Sequence, residues 1–519
     1  MAHYLDPKND LTFKRVFGEH KHLCMSLINS MLPLENPIVS IEYQTGELIP
    51  ELTDVLRNTI VDVRCTDADH RQFIVEMQLY WSESFKSRVL LNASKAYVMQ
   101  LDKAEDFELL QPVYALNFVN DKFLKTKQMK NISIFLVLFL CQICGVHAAN
   151  LIKVTAPDYC SEIQGNTIIK IAAPTYAELT VHCWKQGAGY GTNMLVGTIV
   201  LDENGIGSIE FPADEYPHGP LTVTISGVNR ENFSDNCYLQ LYNKGGVSWK
   251  EGLPPDPPAA KGMKLVFADD FDSELSIGGD PDKFTYYDHK PPFGTQDFSS
   301  IPFTSYNKEN NPFSQIDTYL RIRADANKKS SGLISSLFSN GAGIKASAPC
   351  YFECRFIGPN APGSWPAFWL LSVKDKTQDN SEPCDELDII EAYGGEGRGA
   401  PNAKQVYRVT AHAWGQSDEQ KKICDDFYRT KSAIDVYKHG ILSTWYERPQ
   451  TYGCKITETE TIYYCNDIEV ARHVTLPISK TKPLYFLINL ATGGGWPVDL
   501  SRYNGVIDMY VDYVRVYSL

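Results

Sequence analysis

Among the 13 cysteines of this sequence only Cys141 and Cys144 make a C-x-x-C unit, with no second one to pair with it, which excludes the ligand spacing of zinc ribbons and fingers. There is no surplus of positive charge either: 49 Lys and Arg stand against 63 Asp and Glu, a formal net charge of −14. A chain with that balance is no generic nucleic-acid binder, and it suits a neutral or exposed polar polymer as partner. Helical periodicity is scarce beyond residue 150, where short alternating runs dominate, so that part reads as all-β. The 43% apolar content speaks against wholesale disorder, and 519 residues are too many for one ordinary domain. Nine cysteines fall between Cys160 and Cys465; an odd number leaves a thiol over, and spacing fixes no pairing. These features predict a multidomain, mainly β chain with an α/β portion at its N-terminus.

Residues 1–127 carry the α/β portion. A helical pattern through LCMSLINSML precedes strand-like runs at Ile38–Tyr43, Thr59–Cys65 and Gln72–Leu79, then a helix near Phe85–Leu101 and a buried strand in PVYALNFVN. NTIVDVRC and QFIVEMQ set Asp62, Glu76 and Gln78 on two adjacent strands, where carboxylate oxygens suit Mg²⁺. The stretch DLTFKRVFG…IVDVRC…FIVEMQ…SRVLLNASKAY resembles the recombination-promoting nuclease/putative transposase family, a branch of the PD-(D/E)XK nucleases. That resemblance implies Asp62 and Glu76 as metal ligands, Gln78 in the place usually held by lysine, and a nucleic-acid partner if the domain is active. It ends near Phe123, and residues 1–127 hold 14 Lys and Arg against 18 Asp and Glu, which is no electrostatic footprint for DNA. A truncated, inactive remnant is the alternative reading; Mg²⁺ is expected only with the active one.

Met129–Ala149, MKNISIFLVLFLCQICGVHAA, joins a basic start, an apolar core and the small-residue pattern Val146-His147-Ala148. This is the layout of a secretory signal peptide everywhere but in its position. Either Met129 is the true start of a secreted enzyme, or the joined chain is cleaved near Ala148, or the segment stays as a signal anchor; a buried core helix is the plain alternative. Export predicts residues 150–519 to be secreted, periplasmic or on the cell surface. An anchor would be the one membrane association, with residues 1–127 on the cytoplasmic side.

Short strands between Leu151 and Trp249 predict a β-sandwich accessory module over 150–250, in which Trp184, Tyr190 and Trp249 either stack on sugars or fill the core. Residues 251–262, containing GLPPDPPAA, read as a stiff proline-rich linker. Residues 263–519 are again strand-rich, and within them DELDIIEAYGG (Asp385–Gly395) places Glu386, Asp388 and Glu391 in an apolar run. Alternation puts Glu386 and Asp388 on one face and Glu391 on the other, unless a β-bulge near Ile389–Ile390 returns Glu391 to their side. Three acids on one wall drive at least one carboxyl towards its protonated form. One ionised and one protonated carboxyl is the pair that retaining glycoside hydrolysis uses, although a solvated acidic strand has the same sequence.

The flanks, SWPAFWLL upstream, then AHAW, LATGGGWP and MYVDYVRVY, resemble glycoside hydrolase family 16, the laminarinase, lichenase, agarase and carrageenase group, over about 263–519. The resemblance implies a β-jelly-roll with a long cleft and an endo-acting retaining β-glycosidase with a polysaccharide substrate. It implies Glu386 as nucleophile, Glu391 as general acid/base and Asp388 as the residue between them. The bulged spacing matches laminarinases, agarases and carrageenases, and the ending GGGWP…VDYVRVY favours β-1,3-glucan, although Leu333 stands where many laminarinases carry arginine. Trp365, Trp369, Trp414 and Trp496 are implied as sugar platforms, with core packing as the alternative for each. His412 matches a family histidine near the acids. Asp512 and Asp270 stand where several members hold a structural Ca²⁺. No cofactor is required for the hydrolysis itself, and a monomer is expected. The other readings are a metal-dependent nuclease acting through residues 1–127, or a carbohydrate-binding protein on an inactive hydrolase fold.

Overall fold

The computed structural model describes residues 151–185, 193–230, 233–248, 255–291, 298–375, 382–395 and 405–519, together with short stretches between residues 16 and 139. The chain divides into two compact units, Met1–Ala149 and Asn150–Leu519.

In the first unit five strands lie side by side in the order Ile41–Tyr43, Val63–Asp67, Gln72–Gln78, Val113–Val119 and Ser133–Phe139. Gln72–Gln78 runs parallel to Val113–Val119, and the other neighbours are antiparallel. Helix α1 (Lys21–Met31) buries Cys24 and Ile28 in a core with Ile41, Val63, Phe73 and Val75. Asp62 and nearly all of the predicted helix near Phe85–Leu101 lie outside the described residues. Glu76 and Gln78 fall on the strand Gln72–Gln78, their backbones in register with Asn117 and Val119. The apolar core of the predicted signal segment appears as the edge strand Ser133–Phe139, antiparallel to Val113–Val119, not as a helix. β-branched and aromatic residues in SIFLVLF suit a strand next to a paired neighbour as well as they suit an apolar helix. Among the described residues no helix is long and apolar enough to cross a membrane.

The second unit opens with a small sandwich. One sheet pairs Ile206–Pro212, Asn166–Ala172 and Lys153–Ala156; the other is built on Asn193–Val200, Glu178–Trp184, Pro217–Val228 and Ser234–Asn243. Alternation sets the faces, as in Glu178–Trp184, where Leu179, Val181 and Cys183 point inward. Trp184 is buried, and the Arg448 guanidinium lies 4.2 Å from its ring centroid, so this tryptophan packs the fold and does not offer a sugar platform. Tyr190 and Trp249 lie outside the described residues.

The larger sandwich faces two sheets with each other. The sheet that carries the acids has six strands: β1 (Gly332–Ser335), β2 (Ser364–Ser372), β3 (Cys384–Glu391), β4 (Val406–Trp414), β5 (Ala433–Asp435) and β6 (Leu484–Thr492), in the order β1-β6-β2-β3-β4-β5. The second sheet has eight strands and is centred on β7 (Val506–Ser518), which pairs with Tyr319–Asp325 and Cys350–Ile357. Between them lies the core, with Phe368, Leu370, Leu387, Ile389 and Phe486 from the first sheet and Ile322, Phe352, Phe356 and Val514 from the second. This is the two-layer jelly-roll that the family resemblance implied.

Two features escaped the sequence pattern. Helix α2 (Asp418–Lys431) follows β4 and buries only Cys424 and Phe427, an apolar stripe too thin for a periodicity reading to register. The proline-rich stretch is not a free spacer where it is described. Pro258–Ala260 form a 3₁₀ turn whose Ala259 and Ala260 pack on Tyr351 and Tyr517, and Tyr517 Oη donates to Asp256 Oδ1 at 3.0 Å.

The small and large sandwiches are joined by more than this stretch. Gln240 Nε2 donates to the Asp508 carbonyl at 2.8 Å, Tyr242 Oη to Asp317 Oδ2 at 2.8 Å, and Thr222 Oγ1 to the Tyr446 carbonyl at 2.6 Å. Arg502 holds the buried Asp235 through both terminal guanidinium nitrogens, while its Nε donates to the Ile152 carbonyl. Tyr242 stacks obliquely on Tyr510 of β7 with ring centroids 5.6 Å apart.

Candidate active site

The bulge in β3 creates the site. β2 and β3 pair Phe368 with Ile390 and Ala367 with Glu391, but Trp369 with Asp388, so Ile389 is the extra residue. Leu387, Ile389 and Ile390 then all enter the core, while Glu386, Asp388 and Glu391 share the outer face. On β4 the two-residue period puts Thr410, His412 and Trp414 on the same face, with Thr410 opposite Asp388, His412 opposite Glu386 and Trp414 opposite Cys384. A cleft of about 580 Å³ lies over this face, and Glu386, Asp388, Glu391, Trp365, Trp369 and Trp414 all line it.

Each carboxyl has a different environment. Glu391 accepts three hydrogen bonds: Trp365 Nε1 at 3.2 Å and Tyr393 Oη at 3.0 Å on Oε1, and Thr410 Oγ1 at 3.1 Å on Oε2. Burial pushes its carboxyl above the usual carboxylate range, against the Tyr393 hydrogen bond and with help from the nearby Glu386 charge. Asp388 is buried, and no donor among the described residues is aligned on its Oδ2. Burial, then Glu391 and Glu386, push it well up. The two buried acids titrate together, so the raised proton affinity belongs to the pair. Glu386 faces the cleft, accepting Trp414 Nε1 at 3.0 Å on Oε2.

His412 is the counter-cation. Its Nε2 lies 3.4 Å from Asp388 Oδ2 and 3.9 Å from Glu386 Oε1, and its ring stacks on Trp414 with centroids 4.9 Å apart. Burial pulls the imidazole down, but Asp388 and then the two glutamates outweigh it and raise it to about 9. Glu386, Asp388 and His412 are also spaced closely enough to hold a cation. A protonated Nε2 offers no lone pair, however, so the cluster suits proton chemistry better than metal ligation.

The predicted platforms separate. Trp365 lies at the cleft wall, stacked on Tyr393 at 5.4 Å and 23°. Trp369 forms part of the floor, 6% exposed, with Nε1 donating to Asn489 Oδ1 at 2.8 Å. Trp414 is half exposed. Trp496 does not line this cleft; it follows Gly493–Gly495, all at positive φ. A Cβ at Gly494 would meet Trp365 Cε3 at 2.9 Å, so glycine there lets the loop close over Trp365. Leu333 is fully buried beneath the cleft in a cluster with Trp369, Leu371 and Leu487.

Neither residue of the predicted calcium pair lines the cleft. Asp512 is buried with its Oδ2 3.1 Å from Arg355 Nη1, so a cation already balances it. Asp512 and Asp270 belong to no cluster of three metal-ligating side chains among the described residues. Sequence reasoning also missed residues: Tyr393, Thr410, Asn489 and Lys290 all touch or line the site. Thr410 and Tyr393 each sit two residues from a recognised member, a same-face spacing that could have flagged them. Lys290 and Asn489 carry no such signal.

Comparison with known proteins adds the following. A family model described as PD-(D/E)XK nuclease family transposase matches residues 7–138, so that likeness runs past Phe123 into the apolar segment. The chain is 32% identical over 217 residues to an endo-1,3-1,4-beta-glycanase, EglC, of Rhizobium meliloti (strain 1021), covering 40% of this chain and 40% of that protein. It is 22% identical over 269 residues to a keratan-sulfate endo-1,4-beta-galactosidase of Sphingobacterium multivorum, covering 50% and 56%. Among solved structures, an endo-beta-1,3-glucanase from Pyrococcus furiosus is similar at 21% identity and a TM-score of 0.38, covering 51% of this chain and 98% of that one. The chain thus spans well under two thirds of the length of the curated relatives it matches.

Proposed function

We propose that residues 150–519 act as an endo-acting retaining β-glycosidase on a polysaccharide, with β-1,3-glucan as the first substrate to test. The observation that carries this reading is the contrast between Glu391, held by three donors with burial raising its carboxyl, and Glu386, which faces the cleft in the same row. Glu391 gives its proton to the glycosidic oxygen while a Glu386 oxygen bonds the anomeric carbon, releasing the leaving sugar and forming a glycosyl ester. Glu391, now ionised, takes a proton from water, which attacks the anomeric carbon and frees Glu386. Burial, with the Glu386 charge, favours the proton on Glu391 against the pull of the His412 cation. Relatives named for endo-cleavage of β-linked glycans support the reaction class.

The test is reducing-sugar release by the full chain and its Glu386→Gln variant from laminarin, mixed-linkage β-glucan, agarose and carrageenan. Activity on one polymer, reduced by about 10³-fold or more in the variant, is expected. Equal silence of both proteins on every polymer overturns the reading. The N-terminal family match favours a second, separate reading for residues 7–138, a Mg²⁺-dependent nuclease using Asp62 and Glu76. Plasmid nicking that Asp62→Ala abolishes would support it. We also propose export of the hydrolase portion, on the signal-like layout of 129–149; N-terminal sequencing of the protein from culture medium, beginning after Ala148 or Ala149, is the check.

A further inference from the structure

Two lysines, Lys290 and Lys374, line the cleft of a chain whose formal charge is −14. Lys290 places its ammonium 5.9 Å from the ring centroid of Trp369, the indole fixed on Asn489 at the floor. No carboxylate among the described residues pairs with Lys290. Glu382, which lines the same cleft, accepts the Asp375 N–H at 2.7 Å. The cations gather around Cys384, two residues before Glu386 on the same strand and face. Burial raises the Cys384 thiol, while Lys374 and Lys290 both pull against that rise.

A cleft for an uncharged sugar gains little from this arrangement. An ammonium above the indole screens part of the flat face that a pyranose would use, in return for a weak cation–π contact. A lysine does suit an oxyanion: it is a compact, mobile charge with three donors. We propose that the cleft takes a β-glycan bearing an anionic substituent, a sulfate ester or a carboxylate, which Lys290 holds beside the Trp369 face. This rests on the hydrolase reading, since it assumes that sugar occupies the cleft. Lys374 supplies a second positive charge along the same wall.

Binding is measured apart from turnover. The full-length Glu386→Gln protein, alone and combined with Lys290→Gln or Lys290→Glu, is run in native gels cast with laminarin or agarose, each unmodified, sulfated or carboxymethylated. The active protein is assayed for kcat/KM on the same six polymers. The expected result is tighter retention by a charged form, with an advantage that shrinks as salt rises. Lys290→Gln should cut the charged-to-neutral ratio about tenfold, equal to about 1.4 kcal/mol, and Lys290→Glu should cut it further. Sulfated against carboxymethylated polymer tells which anion is taken. Equal binding of charged and neutral forms overturns the proposal, as does a Lys290→Gln loss that is the same on both, which would reduce Lys290 to a support for Trp369. If nothing is cleaved but the charged preference is present and depends on Lys290, the hydrolase reading fails and the anion site stands. If a neutral polymer is cleaved with no charge preference, the reverse holds.

Discussion

Removing the hydroxyl of Tyr393 should move the alkaline limb of the pH–activity profile upward. Glu391 has three donors, and Tyr393 supplies the shortest of them at 3.0 Å. A hydrogen bond to an ionised carboxylate stabilises the charged form, so it lowers the carboxyl pKa; burial pushes the other way and wins. A hydrogen bond to a charged group is worth about 1.5–3 kcal/mol. Trp365, which shares Oε1, recovers part of that, leaving a difference of about 1.4 kcal/mol, or about one pH unit. The phenyl ring of Tyr393→Phe keeps the stack on Trp365, so the perturbation is confined to the hydroxyl. Thr410→Val removes the donor on Oε2 with little change of shape and should act in the same direction. The assay is kcat/KM from pH 4 to 10 on whichever polymer is cleaved, where loss of activity on the alkaline side reports deprotonation of the acid in free enzyme. Both variants should extend activity to higher pH while slowing turnover at neutral pH, because a more basic Glu391 is less often ionised for the water step. A limb that moves to lower pH, or stays fixed in both folded variants, would refute the assignment of Glu391 as the proton donor.

His412 is held protonated up to about pH 9 by Asp388 and the glutamates. A raised cation stabilises the fold fully below about pH 6.5 and loses that contribution as pH rises through 9. The ring is about a third exposed, so solvent screening limits the effect to about 1 kcal/mol. Melting curves of wild type should therefore decline by about 2 °C between pH 6.5 and 9, and His412→Asn should flatten that decline; an unchanged slope would contradict the ion pair. Asp235→Ala leaves Arg502 half-paired between the two sandwiches and should cost about 3–5 kcal/mol in a single unfolding transition. Two resolved transitions within residues 150–519 would instead mean that the sandwiches melt apart. The nine cysteines from Cys160 to Cys465 are free and buried, so a reductant should leave the melting temperature within about 1 °C. A larger drop would reveal a disulfide, whose loss costs about 2–5 kcal/mol.

Much of the second unit was legible locally. Strand alternation follows from the backbone period alone, and DELDIIEA announced its own bulge, because Glu391 could join the other acids only if one residue was skipped. The tryptophan of WPAF, the histidine of AHAW and the acids each lie within a run whose face can be counted off. In the first unit the helix Lys21–Met31 and the strands through Val113–Val119 were likewise legible, whereas the apolar run Ser133–Phe139 fits a strand or a membrane-directed helix equally well by composition.

What the chain order could not disclose are contacts whose partners lie far apart along it. Asn489 fixes Trp369 across 120 residues, and Arg502 reaches Asp235 across 267. Lys290 meets Trp369 from a segment with no motif at all. Docking of the proline-rich stretch on Tyr517, and of Tyr242 beside Tyr510, belongs to the same class. Which side chains share a face could be counted off the chain, because that depends only on the two-residue period and one inserted residue. Tertiary structure decided which face meets which, and with it how deeply each acid is buried, how many donors Glu391 accepts and which cations enter the cleft. Those quantities set the proton affinities, since desolvation and Coulomb energy depend on distance in space and not on separation along the chain.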